Sequence, residues 1–462
     1  MRFYQKGKRA LEDQNPRANG GVYILTLGCP KNVVDSEELG KTLLCAGIPL
    51  AECPEEAGFI IINTCGFIED AKRESIEEIL RYSRFKDRGA SLIVMGCLVK
   101  RYLRELKKEL PEVDAFFGLD DEEGIIRYIK ERISGPFKID LPARIQSRGG
   151  SYSYIKISDG CVRRCSFCVI PDIKGPYRSM EPQKILQRAE QLISEGYKEL
   201  ILVGQEISLY GMDRKGYPSL KELIRKISSI PGDFWIRLLY LHPASITDEL
   251  LYEIALNDKV CKYLDIPLQH SEDRILRLMN RPGSREGYKR LIEKIRKTIP
   301  GVTIRTTFIV GFPGEGEEDF EGLLDFVREM EFERLGVFKY SREEGTPAFK
   351  LKGHVSKRIK EERYHQIMSL QAKISLKKNL SMVGRKERCL IDEASDGIAS
   401  GRLQSQAPEI DGMVIINGAT LSRGDFIDVI ITAAQDYDLE AVPVLSRSVV
   451  KSFVEESFSH KG

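Results

Sequence analysis

Cys161, Cys165 and Cys168 lie in SDGCVRRCSFCVIP, a CxxxCxxC spacing with Phe167 before the last thiol. Most iron–sulfur clusters are held by four cysteines. Here three fall within eight residues, and the next cysteine along the chain is Cys261. Three ligands point to a 4Fe-4S cluster with one iron left open to a small molecule, and an open iron is a place for a reaction. Structural zinc is the competing reading, since C-x2-C pairs are common in zinc sites. A closed tetrahedral site needs a fourth ligand and usually a second pair, and neither is local. Inert packing fits poorly, because Asp159, Arg163, Arg164 and Ser166 make the loop polar.

A loop of this kind needs a scaffold, and the surrounding pattern supplies one. From YSYIKIS onward, strand candidates KELILVG, FWIRLLYL, CKYLDIP, GVTIRTTFIVG and FERLGVFKY alternate with helical stretches such as QKILQRAEQLISEG, DELLYEIALND and EEDFEGLLDFVREM. Strands alternating with helices imply a parallel sheet with right-handed crossovers, here six βα units: an open relative of the (βα)8 barrel with its mouth at the strand carboxyl ends. The CxxxCxxC loop directly follows the first of these strands. Upstream, GVYILTL, GFIIINT and SLIVMG alternate with amphipathic segments, and the pattern continues through VDAFFG and EEGIIRYIKERI. It breaks at GPFKIDLPARIQSRGGS, placing a boundary near residue 145. After FERLGVFKY comes a long Lys/Arg-rich helix opened by Ser356 as N-cap. Short β-rich runs, ERCLIDE, DGMVIING and DFIDVIITAA, then suggest a small barrel. The expected division is 20–145, 146–380 and 381–448.

In the upstream part, Cys29 follows YILTLG, Cys65 follows FIIINT and Cys97 follows LIVMG, each just beyond a strand carboxyl end, where open α/β sheets bind ligands. Adjacent strands are about 4.8 Å apart, so three such loops can surround one cluster despite separations of 36 and 32 residues. Two readings stand, a second three-cysteine cluster and unrelated packed thiols. Cys45, Cys53, Cys261 and Cys389 show no pattern and read as ordinary packing. Ten cysteines in 462 residues are too sparse for a disulfide scaffold. The chain is 42% hydrophobic and 30% charged, an ordinary globular composition of roughly three domains at about 150 residues each. Lys plus Arg (71) nearly cancels Asp plus Glu (69), removing the whole-molecule field of a protein that grips nucleic acid by counterion release. With no apolar run of about 18 residues and no apolar stretch at the amino end, neither a membrane span nor a secretory signal is expected, and the expected compartment is the cytoplasm.

CVRRCSFC resembles the motif of radical S-adenosylmethionine (SAM) enzymes, whose partial barrel agrees with six βα units. The resemblance implies SAM on the open iron. In that family a reduced cluster cleaves the sulfonium, and the resulting deoxyadenosyl radical takes hydrogen from an unactivated carbon. It further implies that Phe167 lies by the cofactor, that Gln205 and Glu206 in LVGQEISLYG lie near the methionine amino group, and that Thr307 and Gly311 in RTTFIVGFPGE lie along the nucleoside. Gly311 and Gly314 read equally as a strand-to-helix turn that requires permissive backbone angles. His242 and His270, both just after barrel strands, read as pocket residues or as satisfied polar groups.

LGCPKNVVDSE, INTCGFIEDAK and MGCLVKRY resemble the N-terminal domain of methylthiotransferases, radical enzymes that insert sulfur into a C–H bond and methylate it. The implied fold class is α/β: an N-terminal parallel α/β domain, a partial (βα)6 TIM-like barrel and a small all-β TRAM barrel. The resemblance implies a second 4Fe-4S cluster, on Cys29, Cys65 and Cys97, carrying the added sulfur as sulfide or polysulfide. GCPKN, NTCGFIEDAK, YLDIPLQH and LGVFKYSREEGTPA are similar to the RimO-type branch, which modifies the β-carbon of an aspartate in ribosomal protein S-twelve, free or in the small subunit. Implied partners are that protein and an electron donor such as flavodoxin or ferredoxin. A transfer RNA adenosine methylthiotransferase of identical chemistry is the alternative, and a two-cluster electron-transfer protein is another. Lys174 and Met180 stand where that branch is expected to have arginines, and LVGQEIS replaces a more usual Gln-Asp-Thr.

Residues 384–445 carry 5 Lys/Arg against 11 Asp/Glu, a net −6. An RNA-binding module should present cations, whereas an acidic one suits a basic ribosomal protein as a substrate-binding domain; acidic residues that merely solvate a small barrel are the other reading. The basic helix over 356–378 reads as a solvated interdomain face or as a contact with ribosomal RNA.

Overall fold

The computed structural model describes residues 21–133, 150–395, 397–417 and 421–444. The chain forms two compact units, Met1–Arg144 and Ile145–Gly462. The polar lead and the boundary expected near residue 145 lie outside the described residues.

The first unit contains β1 (Gly21–Thr26), α1 (Pro30–Cys45), β2 (Ala57–Thr64), α2 (Glu69–Ser83), β3 (Ser91–Gly96), α3 (Cys97–Glu109), β4 (Ala115–Phe117) and α4 (Glu122–Lys130). Its sheet runs in the order β1-β2-β3-β4, every pair parallel. AGFIIINT is buried throughout, the pattern of a strand covered on both faces. Alternation distributes the side chains. Ile60, Ile62, Leu92 and Val94 pack with Ile79, Leu98 and Leu106 of α2 and α3. Phe59, Ile61, Ile93 and Met95 pack with Leu39, Leu43, Ile125 and Ile129 of α1 and α4.

The second unit begins with β5 (Tyr152–Lys156), β6 (Ser158–Asp159), α5 (Ile170–Lys174), β7 (Arg178–Ser179), α6 (Pro182–Ser194), β8 (Glu199–Val203), α7 (Leu220–Ser228), β9 (Trp235–Leu238) and α8 (Asp248–Leu256). It continues through β10 (Val260–Asp265), α9 (Asp273–Leu278), α10 (Arg285–Thr298), β11 (Thr303–Val310), α11 (Glu317–Met330), β12 (Arg334–Lys339) and α12 (Lys357–Leu380). The six long strands form one parallel sheet in the order β12-β11-β10-β9-β8-β5, the open barrel expected. Leu200, Leu202, Ile236, Leu238, Leu264, Ile304 and Phe308 join the core beneath the helices. The period of two therefore turns Glu199, Arg237, Tyr263, Asp265, Arg305 and Thr307 to the other face, and the interior of the barrel is polar.

The C-terminal module is a closed five-stranded barrel of β13 (Lys386–Ser395), β14 (Ile398–Leu403), β15 (Val414–Asn417), β16 (Phe426–Ala434) and β17 (Leu439–Pro443), in the order β13-β14-β15-β17-β16. Periodicity marks three of these strands and misses β14 and β17. In β14, IASGRL carries Gly401, where a Cβ would lie 2.5 Å from the Leu390 carbonyl oxygen and 2.7 Å from Cys389 Sγ. The glycine marks a close strand contact but breaks the apolar pattern.

This module docks on the amino ends of the barrel strands. Glu199 receives Arg237 from β9 and Arg402 from the module, all three side chains at most 4% exposed. Tyr152 and Tyr263 donate to Glu409 and Asp411 at 2.7 Å each. Trp235 packs at a tilt against Phe426, ring centres 4.8 Å apart, and Arg388 pairs with Asp233. These contacts use charges that the composition count assigned to a surface. Among the described residues of the module, the exposed acids are Glu393, Glu409, Asp425, Asp428 and Asp436, against exposed Arg385, Lys386, Arg388 and Arg423. Glu387, Asp438 and Glu440 are half-exposed, while Asp392 and Asp411 face Arg402 and Arg305, so the expected excess of acids is taken up within the unit only in part.

Helix α12 is capped by Ser356, whose Oγ accepts from the Ile359 amide at 3.4 Å. Arg363 pairs with Glu315 and Glu317, Lys377 with Glu331 and Lys378 with Glu333, so much of its positive charge is spent within the unit. Its last turn meets the small barrel through Asn379, which donates to the carbonyls of Gln435 and Asp436. Cys261 and Cys389 are buried as expected, whereas Cys45 is exposed and Cys53 half-buried, since each sits at the edge of an element rather than on its apolar face.

Removing one member of a buried ion cluster strands its partners, at a cost of about 3–5 kcal/mol. Glu199→Leu leaves two buried guanidinium groups without their shared carboxylate. It is expected to lower the stability of the second unit by that amount, read by denaturant unfolding through the fluorescence of Trp235, the chain's only tryptophan. Arg328→Ala, which removes the exposed Arg328–Asp325 pair, should leave the transition nearly unchanged.

Candidate functional site

The loop carrying Cys161, Cys165 and Cys168 follows β5 and the short β6 and has no regular structure until α5. It is pinned from outside. Arg163 makes a two-pronged pair with Glu206 just beyond β8, Nε to Oε2 at 2.9 Å and Nη2 to Oε1 at 3.0 Å. Ser245, beyond β9, donates to the same carboxylate at 2.8 Å. The Ser166 amide donates to the Met279 carbonyl and its Oγ to the Leu278 carbonyl, at 2.8 and 2.7 Å, while its own carbonyl accepts from Ala348. Asn280 Nδ2 donates to the Arg164 carbonyl at 2.7 Å. Phe167 packs edge-on against Phe312, ring centres 6.5 Å apart.

Burial first, and then the neighbouring thiols, push Cys168 up to about 12 and also raise Cys161. Backbone amides oppose this. The Arg163 amide donates to Cys161 Sγ at 3.3 Å, and the Ile170 amide acts on Cys168. Arg281 Nη1 donates to Cys165 Sγ at 3.7 Å. Desolvated thiols supplied with N–H donors suit metal–thiolate bonding, which removes the proton. Among the described residues no three Cys, His, Asp or Glu side chains converge as ligands of a single ion would. A four-iron cluster instead holds its thiolates at separate corners.

The other expected site residues divide. Gln205 Oε1 is buried and unpartnered, an acceptor without a donor. Glu206, beside it, is 2% exposed and already committed to Arg163 and Ser245. Thr307 is buried on β11, facing the barrel interior opposite Gly336, where a Cβ would stand 4.0 Å from its Oγ1. Gly311 has φ +71°, and a Cβ there would meet Lys360 Cγ at 2.3 Å; its amide also supports the Glu315 carboxylate. The turn reading accounts for it, and likewise for Gly314 at φ +86°.

His242 Nδ1 accepts from the Ala244 amide at 3.2 Å, which leaves Nε2 as the protonated nitrogen, buried without a partner. Burial first, then Arg281 and Arg163, bring its pKa down to about 2, so the ring is neutral. His270 accepts from the Glu272 amide and stands 3.6 Å from Glu315. The departures at 174 and 180 have structural occupants: Lys174 faces Asp159 at 4.0 Å, and Met180 packs against the barrel core.

In the first unit, Cys65 and Cys97 immediately follow β2 and β3, while Cys29 lies three residues beyond β1 as the N-cap of α1. The three loops touch. At Gly28, φ +93°, a Cβ would lie 2.7 Å from Cys65 Cβ; at Gly66 it would lie 2.8 Å from the Leu98 backbone and 2.9 Å from the Cys97 carbonyl carbon. Polar side chains hold the loops: Asn63 donates to the Asn32 carbonyl and Ser36, Asn32 to the Leu27 carbonyl, and Ser75 bonds both the amide and carbonyl of Cys65. Burial raises the Cys65 pKa, the Phe67 amide opposes it, and Cys29 is close enough to add to the rise.

Sequence reasoning missed Ser245, Asn280 and Arg281. They come from segments after β9 and α9 that carry no recognised motif, and only folding brings them to the cysteine loop.

Known proteins resemble the chain in three stretches. Residues 155–327 match the Radical SAM superfamily, 21–118 the Uncharacterized protein family UPF0004, and 383–444 the TRAM domain. Ribosomal protein uS12 methylthiotransferase RimO of Thermodesulfovibrio yellowstonii is 52% identical over 423 residues, covering 91% of this chain and 99% of the relative. The protein of the same name from Acetivibrio thermocellus is 46% identical, covering 90% and 97%. Among solved structures, the radical SAM methyltransferase TsrM from Kitasatospora setae matches with TM-score 0.54 at 15% identity, covering 82% of this chain and 80% of that one, a likeness of fold.

If the Arg163–Glu206 pair pins the cysteine loop, Glu206→Ala should raise the alkylation rates of Cys161 and Cys165 several-fold in cluster-free protein, measured by mass spectrometry, with an unchanged circular dichroism spectrum. Equal rates would show that Ser166 and Asn280 suffice.

Proposed function

The chain belongs to the RimO family of ribosomal protein uS12 methylthiotransferases, and from that membership we propose that it adds a methylthio group to the β-carbon of an aspartate in uS12, using two 4Fe-4S clusters. It is a radical SAM methylthiotransferase. The observation that carries the assignment of residues is the cysteine loop itself: three mutually close, desolvated thiols at the carboxyl ends of the barrel strands, with the unpartnered Gln205 Oε1 on the segment tied to that loop through Arg163 and Glu206.

In this reading Cys161, Cys165 and Cys168 hold the cluster that binds SAM, and Cys29, Cys65 and Cys97 hold the one that carries sulfide or polysulfide. When bound, these groups supply a radical able to take hydrogen from an unactivated carbon, a sulfur atom to replace it and, from a second SAM, the methyl group. The chain's own residues bind and orient. Gln205 Oε1 accepts from the methionine ammonium, Phe167 bounds the cofactor on the loop side, and Thr307 offers its hydroxyl from the barrel interior. Glu206 acts through Arg163 by fixing the loop. Gly311 shapes the turn beneath Lys360. The neutral Nε2–H of His242 remains available to a ligand oxygen or sulfur. The electron comes from a low-potential donor such as flavodoxin or ferredoxin. Among the described residues no helix is long and apolar enough to cross a membrane.

Anaerobic reconstitution is expected to give about eight irons per chain, and about four when either cysteine triplet is replaced by alanine. Cys165→Ala should abolish deoxyadenosine formation. Cys65→Ala should stop sulfur insertion while leaving uncoupled SAM cleavage, and identical behaviour of the two variants would refute the division of labour. In a deletion strain, mass spectrometry should find uS12 lacking its methylthio group while transfer RNA nucleosides stay unchanged; the reverse would assign the transfer RNA substrate.

A further inference from the structure

Arg281 is buried at 8% exposure, yet its guanidinium meets no carboxylate among the described residues. Nε donates to the Leu268 carbonyl at 3.2 Å, Nη2 to the Pro267 carbonyl and Nη1 to Cys165 Sγ at 3.7 Å. Three other buried arginines of the unit are neutralised by carboxylates, Arg237 by Glu199, Arg363 by Glu315, and Arg402 by Glu199 and Asp392, whereas Arg334 has no carboxylate pair among the described residues. Neutral carbonyls compensate a buried cation only in part, so the site calls for an anion. The thiol that this fork meets directly is that of Cys165, with Cys168 and the Tyr288 hydroxyl also close to the guanidinium. Arg281 is also tightly built in. Its amide donates to the Leu276 carbonyl, and the two residues before it hold the cysteine loop through the Met279 carbonyl and Asn280 Nδ2.

We propose that Arg281 is a positioning residue that sets the reduction potential of the barrel cluster, its guanidinium acting as counter-charge to the Cys165 thiolate. This rests on Cys165 being a cluster ligand. Reduction brings one electron from an external donor to the cluster, breaks no bond and moves no proton, and raises the negative charge of the thiolate-ligated cluster by one unit. A fixed cation beside a ligand sulfur stabilises the reduced form more than the oxidised one. Lysine keeps the charge without the fork, and glutamine keeps a donor without the charge.

The test is a dithionite titration of the reconstituted full chain, with Cys29, Cys65 and Cys97 replaced by alanine so that one cluster remains, followed by electron paramagnetic resonance without SAM. Arg281→Gln should make one-electron reduction about tenfold harder, about 59 mV more negative, while Arg281→Lys stays close to the parent. An unchanged potential in Arg281→Gln overturns the proposal, and so does a Lys variant shifted as far as the Gln variant. Should Arg281→Gln fail to retain iron, pulsed resonance on parent protein labelled with ¹⁵N-arginine decides. A nitrogen coupling to the reduced cluster that Arg281→Lys abolishes supports the contact, and its absence refutes it. A parent that binds no iron would instead defeat the assignment of Cys161, Cys165 and Cys168 as ligands.

Discussion

A peptide segment with no ladder of its own hydrogen bonds keeps its shape only if something else holds it. Between Asp159 and Val169 the chain is such a segment, and its thiols are useful only if their separations are fixed. The holding groups come from four directions. A carboxylate beyond β8 takes Arg163, a hydroxyl beyond β9 joins that pair, the turn after α9 takes Ser166 and Arg164, and the Ala348 amide closes the far side. These groups lie in the segments between the strands, and such segments can be placed to within a fraction of an ångström only because the strands beneath them pack into one apolar core. The chemistry at the mouth therefore depends on Leu200, Ile236, Leu264 and Phe308, none of which approaches the thiols in the chain.

The opposite end of the same barrel solves a different problem. A polar interior left open to water would gain nothing from burial, and the C-terminal module closes it by bringing Arg402 to Glu199 and Asp411 to Arg305. Counted as composition, the module is acidic. Folded, part of that charge is internal, where Asp392 and Asp411 meet arginines. The basic helix α12 behaves in the same way, pairing with Glu315, Glu331 and Glu333. In both elements the local charge count reflects assembly within the unit as much as recognition of a partner.

The two cysteine sets show two degrees of legibility. CxxxCxxC is local, so its spacing alone states its chemistry. Cys29, Cys65 and Cys97 share only a position relative to strands, and that position could be read because AGFIIINT and SLIVMG are so plainly buried strands. What could not be read was how closely the loops approach. Gly28 against Cys65 and Gly66 against Cys97 are contacts between residues more than 30 positions apart. Likewise β14 escaped because Gly401 interrupts the alternation on which strand recognition rests, and β17 because it is only five residues long.

The identity of the thiols, the alternation of strands and helices, and the end of each sheet where chemistry belongs were all written in the order of residues, because each is set by interactions over a few positions or by a period of 2 or 3.6. Which carboxylate is free and which is spent, whether a histidine is charged, and which arginine stands beside which sulfur were decided only on folding. Charge and hydrogen-bond partnership are properties of neighbours in space, and Glu206, His242 and Arg281 acquire theirs from segments with which they share no local pattern.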